Sequence, residues 1–116
     1  MGFFGKLFGM HDIKVTGNMH VKTLKDKFKE EFGTEIRVYK STNTGKGSRL
    51  ADDKVTLASI SDKKIEEITI KKSKTVGEIE DEFKEKLGLG IQIMTPSGDG
   101  FAPNDMKLKD VSKIEK

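Results

Sequence analysis

Apolar residues follow two spacings along this chain, and each spacing occurs in both halves. Leu24, Phe28 and Phe32 are four residues apart, which predicts the buried face of a helix. A second helix is predicted from a similar stripe: Val76, Ile79, Phe83 and Leu87. Apolar and polar residues alternate over four short segments, at 12–16, 35–40, 65–71 and 90–95. Such alternation is typical of half-buried strands.

These elements form an internal repeat, which indicates a duplicated unit. Phe28 and Phe83 lie 55 residues apart (83 − 28), and the surrounding strands match at the same interval. Beyond the second strand the interval falls to 51, as between Leu57 and Leu108 (108 − 57). The second copy therefore has a shorter loop at this place.

The predicted helix ends also match. Gly33 and Gly88 follow the two apolar stripes, where glycine permits the left-handed conformation that ends a helix. Thr23 and Thr75 are the predicted N-terminal caps. The two Lys-Thr pairs are only 52 residues apart (75 − 23), so the second helix is predicted to be longer at its start.

The pattern predicts an α+β protein with two tandem β-α-β-β units that share a mixed sheet and carry their helices on one face. We assign residues 1–10 to an apolar arm, 11–63 to the first unit and 64–116 to the second. Units of this size are marginal alone, so a shared core or sheet is expected. In the tandem arrangement, the strands around Ile13 and Ile68 run antiparallel about a pseudo-twofold axis.

One stretch resembles ubiquitin-like β-grasp domains. Leu50, Asp52-Asp53, Thr56-Leu57 and Ile60 precede the strand at 65–70 in the order seen in that family. The resemblance covers about residues 12–72 and is partial over 68–116. It implies that the two units are β-grasp-like. A complete ubiquitin-like first unit would place the two central strands parallel.

The chain is also similar to small uncharacterised bacterial proteins with the same Lys-Thr-Leu…Phe-Gly…Arg-Val-Tyr run, a resemblance that implies no known activity. Ubiquitin-like modifiers and sulfur carriers act through a C-terminal Gly-Gly. This sequence ends in Ser-Lys-Ile-Glu-Lys, so we expect no such activity.

Charged residues make up 35% of the chain, with a net charge of +3 and both signs interleaved. This pattern is typical of a solvated surface rather than a nucleic-acid-binding stripe. Lys71, Lys72 and Lys74 form one short basic run, and weak nucleic-acid binding through them is an alternative function. The apolar runs are far shorter than the ~20 residues of a membrane span. We expect a cytoplasmic protein.

The sequence offers little catalytic chemistry. It contains no cysteine, and its two histidines, His11 and His20, have no carboxylate at a characteristic spacing. Residues 45–48 place Gly47 after Lys46, where a phosphate-binding loop requires Ser or Thr. We predict a non-enzyme without cofactor or metal.

The candidate contacts are apolar. The arm carries Phe3, Phe4, Leu7 and Phe8, and the predicted outward positions Tyr39 and Met94 are equivalent (94 − 39 = 55). The leading prediction is a non-catalytic protein–protein interaction or self-association module, with a homodimer as one form. The alternative for the arm is peripheral membrane binding, which would need a strongly amphipathic helix. Tyr39 and Met94 mark either a partner-covered face or a face on which the arm packs.

Overall fold

The computed structural model describes residues 8–114 and has an α+β fold. The predicted contacts Phe3, Phe4 and Leu7 lie outside these residues. The elements in chain order are strand β1 (Ile13–Val15), helix α1 (Val21–Phe32), strand β2 (Ile36–Val38), helix α2 (Leu57–Ile60), strand β3 (Ile68–Ile70), helix α3 (Val76–Glu82) with a π-helical continuation (Phe83–Leu87), strand β4 (Ile91–Ile93) and helix α4 (Leu108–Val111).

The strands pair between the two halves of the chain. β1 pairs antiparallel with β3, with Lys14 opposite Thr69 at the centre. β2 pairs antiparallel with β4, with Arg37 opposite Gln92 at the centre. Both central pairs are 55 residues apart (69 − 14 and 92 − 37), so each strand meets its counterpart from the repeat. The antiparallel direction is the one expected for the tandem arrangement, and the parallel direction of a complete ubiquitin-like first unit is not observed.

The expected mixed sheet is wrong. Within residues 8–114 the strands form two separate two-stranded sheets, both purely antiparallel. The physical reason is that β1 and β2 each use a hydrogen-bonding edge for a strand of the other half and do not pair with each other. That both helices cover one face remains a prediction.

Single bridges widen the β2–β4 sheet on both sides. Tyr39 pairs with Leu50, and Met94 pairs with Phe101. The Ala51 N–H donates to the Val38 carbonyl at 2.8 Å, which holds the first edge segment in place. The edge segments predicted near Leu50 and Phe101 are therefore present, although each is only a bridge long.

Helix α1 begins at Val21, two residues before the predicted cap Thr23. The Val21 N–H donates to the Val55 carbonyl and the Lys22 N–H to the Asp53 carbonyl, both at 3.0 Å. First-turn N–H groups need acceptors, and here distant backbone carbonyls supply them. The cap predicted at Thr23 is therefore wrong.

Helix α3 begins as predicted, because Thr75 forms a capping box with Glu78. Its first residue, Val76, is 55 positions after Val21 (76 − 21), and both helical segments end just before glycines with φ of +69° and +62°. The predicted extra length at the start of the second helix is wrong. The match between the two Lys-Thr pairs does not follow the structural alignment.

One hydrophobic core spans both halves. Every residue of the two predicted helix stripes is buried, and the Phe28 and Phe32 rings lie 5.4 Å apart in a tilted arrangement. Val21 and Leu89, outside the predicted stripes, are also in the core. α1 packs on β1, β2 and α4, while α3 packs on β4.

Because each sheet needs one strand from each half, we predict that fragments 1–63 and 64–116 are unfolded separately and fold when mixed. Each fragment alone would expose unpaired strand edges and half of the core. Circular dichroism and amide NMR dispersion of each fragment and of their equimolar mixture provide the measurement. A dispersed, native-like spectrum from either fragment alone would contradict the prediction.

Candidate functional site

The outer face of the β2–β4 sheet carries the strongest candidate for a contact surface. The side chains of Ile36, Val38, Ile91 and Ile93 are buried in the core. Since side chains alternate along a strand, Arg37 and Gln92 lie on the opposite face. The Tyr39 hydroxyl on that face donates to Gln92 Oε1 at 2.6 Å.

Leu50 and Phe101 stand at the two edges of this face. Their exposed fractions are 54% and 60%, and no other large apolar side chain is as exposed within residues 8–114. The Arg37 guanidinium lies 5.9 Å from the centre of the Phe101 ring, in cation–π geometry. We call Arg37, Tyr39, Leu50, Gln92 and Phe101 the outer-sheet surface.

A cleft of about 560 Å³ runs along the outer-sheet surface, where the loop after β2 approaches the sheet. Besides the surface residues, it is lined by Thr44, Gly45, Lys46 and Ser48. The Ser48 hydroxyl oxygen is buried and has no hydrogen-bond partner in the described structure. A buried hydroxyl in this state is uncommon and can bond an incoming group.

The predicted outward positions Tyr39 and Met94 are buried, with exposed fractions of 5% and 1%. Each is backed by a further edge segment, at Leu50 or Phe101, and the Thr34 hydroxyl donates to the Met94 carbonyl. The prediction that Tyr39 and Met94 are themselves exposed contacts is therefore wrong.

The exposed apolar groups at this face are instead the bridge partners of these two residues. Leu50 and Phe101 occupy equivalent positions of the repeat (101 − 50 = 51), each beside a polar loop. That match was a usable signal, but alternation along a strand does not show which flanking residue stays exposed.

The described end of the arm packs against the end of α1. Phe8 is partly buried, and a Cβ placed on Gly33 would overlap its ring. The Met10 N–H donates to the Glu31 carbonyl at 2.9 Å. His11 Nδ1 lies 2.8 Å from Glu31 Oε1, which also accepts the His11 N–H at 3.0 Å.

The His11 contacts lower the pKa of the Glu31 carboxyl, through the backbone hydrogen bond first and the ring second. The sequence spacing gave no sign of this pair, since the two residues are 20 positions apart. Phe8 also borders a shallow cleft of about 360 Å³ on α1. For Phe8, the arm-packing interpretation is thus the one observed.

Two kinds of site were not found in the part of the chain described. No group of three or more His, Asp or Glu side chains between residues 8 and 114 has the arrangement needed to hold a metal ion. None of the helices in this range combines the length and apolar character required to cross a membrane.

Glu80 borders the outer-sheet surface beside Phe101. Its carboxylate accepts the Ile93 N–H at 3.0 Å. Burial raises the pKa of the Glu80 carboxyl, while this hydrogen bond opposes the shift. α3 thus provides an acceptor for a backbone donor of β4 at a cost in desolvation.

We predict that Gly33→Ala lowers the free energy of unfolding more than Gly47→Ala. Both glycines have positive φ, which costs other residues roughly 1–2 kcal/mol. Only Gly33 is covered by the Phe8 ring, whereas Gly47 faces open space. The measurement is chemical denaturation. In a Phe8→Ala background the extra cost at Gly33 should shrink, and equal costs in both backgrounds would refute the packing of Phe8.

We predict that the wild type gains stability relative to Glu80→Gln as pH falls from neutrality towards about 4, the ordinary carboxyl range. The raised pKa means that folded Glu80 binds its proton more tightly than the unfolded chain does, so its unfavourable contribution is present at neutral pH and is lost on acidification. Gln keeps an acceptor for Ile93. Denaturation of both proteins across this range provides the test, and parallel curves would contradict it.

The chain matches no protein-family model, no curated protein and no solved structure at significant similarity. Its function is therefore inferred from its own contacts, exposure and charge.

Proposed function

We propose that this protein is a non-catalytic protein–protein interaction module that binds its partner through the outer-sheet surface. The observation that carries the proposal is the exposure of Leu50 and Phe101 on either side of a cleft. Burying such a side chain contributes about 1.5–3 kcal/mol. Aromatic and Arg side chains are also common among residues that dominate binding energy, and Arg37 lies against Phe101.

The surface is supported from behind, which limits the cost of ordering it on binding. Arg37 and Gln92 lie on paired strands, and the hydrogen bond from Tyr39 orients Gln92. Leu50 and Phe101 are attached by backbone bridges to the same sheet. The residues that would contact a partner therefore belong to one small framework.

We further infer that residues 11–63 and 64–116 are β-grasp-like units derived by duplication, within a cytoplasmic protein. The support is the interval of 55 residues between paired strands and between helix starts, and the interval of 51 between the two bridge partners.

Nucleic-acid binding is less well supported than protein binding. Of the basic run at 71–74, Lys74 is partly buried and its Nζ bonds Glu82 Oε1 at 2.5 Å, which leaves Lys71 and Lys72 exposed. Two exposed lysines provide a small electrostatic footprint. Peripheral membrane binding by the arm remains the alternative for Phe3, Phe4, Leu7 and Phe8.

We predict that Leu50→Ser with Phe101→Ser removes a partner that the wild type retains from an extract of the source cells. Lys27→Ser with Lys109→Ser is the control, because both lysines are exposed and lie outside the surface. The retained protein is then purified and titrated, and the affinity should fall at least about tenfold, as expected from the loss of two buried apolar groups. Thermal unfolding should show little change, since both positions are exposed.

Equal affinity of the purified partner for the double variant and the wild type would refute the proposal. Light scattering of the full chain and of a chain starting at His11 separates two other outcomes. A dimer lost only in the Leu50 and Phe101 variant identifies a second copy as the partner. A dimer lost on truncation assigns the interface to the arm, and liposome binding lost in Phe4→Ser with Phe8→Ser assigns it to a membrane; both results would contradict the proposed surface.

A further inference from the structure

We propose that the outer-sheet surface recognises an acidic peptide segment of its partner. A carboxylate of the segment enters the cleft beside Arg37, Lys46 and Ser48, and a neighbouring apolar side chain covers Leu50 and Phe101. This inference rests on the proposed function and adds the chemical class of the ligand.

The charge around the cleft has one sign. Between Glu35 and Asp52 the sequence contains no acidic residue and four basic ones: Arg37, Lys40, Lys46 and Arg49. Within residues 8–114 none of these four forms an ion pair, whereas Lys22, Lys25 and Lys74 all do. Cations without internal partners attract an incoming anion.

The cleft also has more donors than acceptors. Arg37 presents a planar fork of N–H groups, which suits two carboxylate oxygens, and Lys46 adds an ammonium. The buried Ser48 hydroxyl has no partner in the described part of the chain. Tyr39 occupies the side-chain oxygen of Gln92, so the Gln92 amide N–H groups remain as donors. A group with acceptors only is the best complement.

The apolar rim favours a peptide over a small free anion. A free carboxylate or phosphate would satisfy the donors and leave Leu50 and Phe101 in water. An acidic residue next to a Leu or an aromatic residue satisfies both requirements, because neighbouring side chains on an extended strand diverge to opposite sides and the next but one lies alongside.

The same charges disfavour a second copy as the occupant. A twofold dimer places the same surface on both sides of the interface, so Arg37 and Lys46 would approach cations of the other copy. A nucleic acid would match the charge, but the rim contains one exposed aromatic ring and an aliphatic residue, rather than a series of aromatic residues on which bases stack.

The test is selection of a phage-displayed library of random peptides on the immobilised full-length chain. Enriched peptides should contain Asp or Glu within one or two positions of an apolar residue. A synthetic copy should bind about tenfold or more weakly to Arg37→Gln with Lys46→Gln, as expected for the loss of charge-assisted hydrogen bonds. Lys27→Gln with Lys109→Gln changes the net charge equally, away from the surface, and should bind nearly as the wild type does.

Ser48→Ala separates a binding role from a structural one. It removes a hydroxyl that has no partner in the folded chain, so stability should not fall, while affinity for the selected peptide should fall several-fold. Replacing the acidic residue of the peptide by its amide should reduce binding to the wild type and have little effect in the Arg37 and Lys46 variant.

Two outcomes overturn the inference in distinguishable ways. Neutral or basic peptides that still require Leu50 and Phe101 would refute the acidic ligand and leave the proposed function standing. If no enriched peptide depends on Leu50 and Phe101, both fail. A single-stranded DNA oligonucleotide that binds more tightly than the peptides and requires Arg37 and Phe101 would instead assign the cleft to nucleic acid.

Discussion

The structure depends on antiparallel pairing between strands of the two halves. Each sheet contains one three-residue strand from each half, so neither half holds a complete sheet. A two-stranded sheet this short is not stable in water by itself. Here it is stabilised because α1 and α3 bury their apolar stripes against the strands in one common core. Pairing and burial are therefore coupled, and a loss of either weakens the other.

The same pairing creates the candidate site. It sets Arg37 opposite Gln92 and brings the edge residues Leu50 and Phe101 to the two sides of one face. The backbone obeys the repeat at these positions, whereas the side chains do not. A cation in one unit faces a neutral amide in the other, and a basic loop borders only one side. Recognition chemistry thus arises from side-chain differences placed on a nearly symmetric backbone.

The helix starts illustrate how a common backbone arrangement tolerates different residues. Donors at the start of α1 and α3 bond carbonyls of the segment before α2 and α4, at Val55 and at Met106 respectively. Thr75 adds a side-chain cap to α3, while His20 at the equivalent place in α1 contributes none. Because the backbone already satisfies these donors, the capping side chain is free to vary between the units.

The sequence by itself determined the helix stripes, the strand positions, the glycine stops at Gly33 and Gly88 and the intervals of the repeat, because these depend on local periodicity and local backbone conformation. Only the tertiary structure decided the start of α1, the division into two sheets and the burial of Tyr39 and Met94. These features depend on hydrogen bonds and coverage from residues distant in sequence. Alternation along a strand assigns a side chain to a face, but whether that face meets solvent depends on which segments pack beside it.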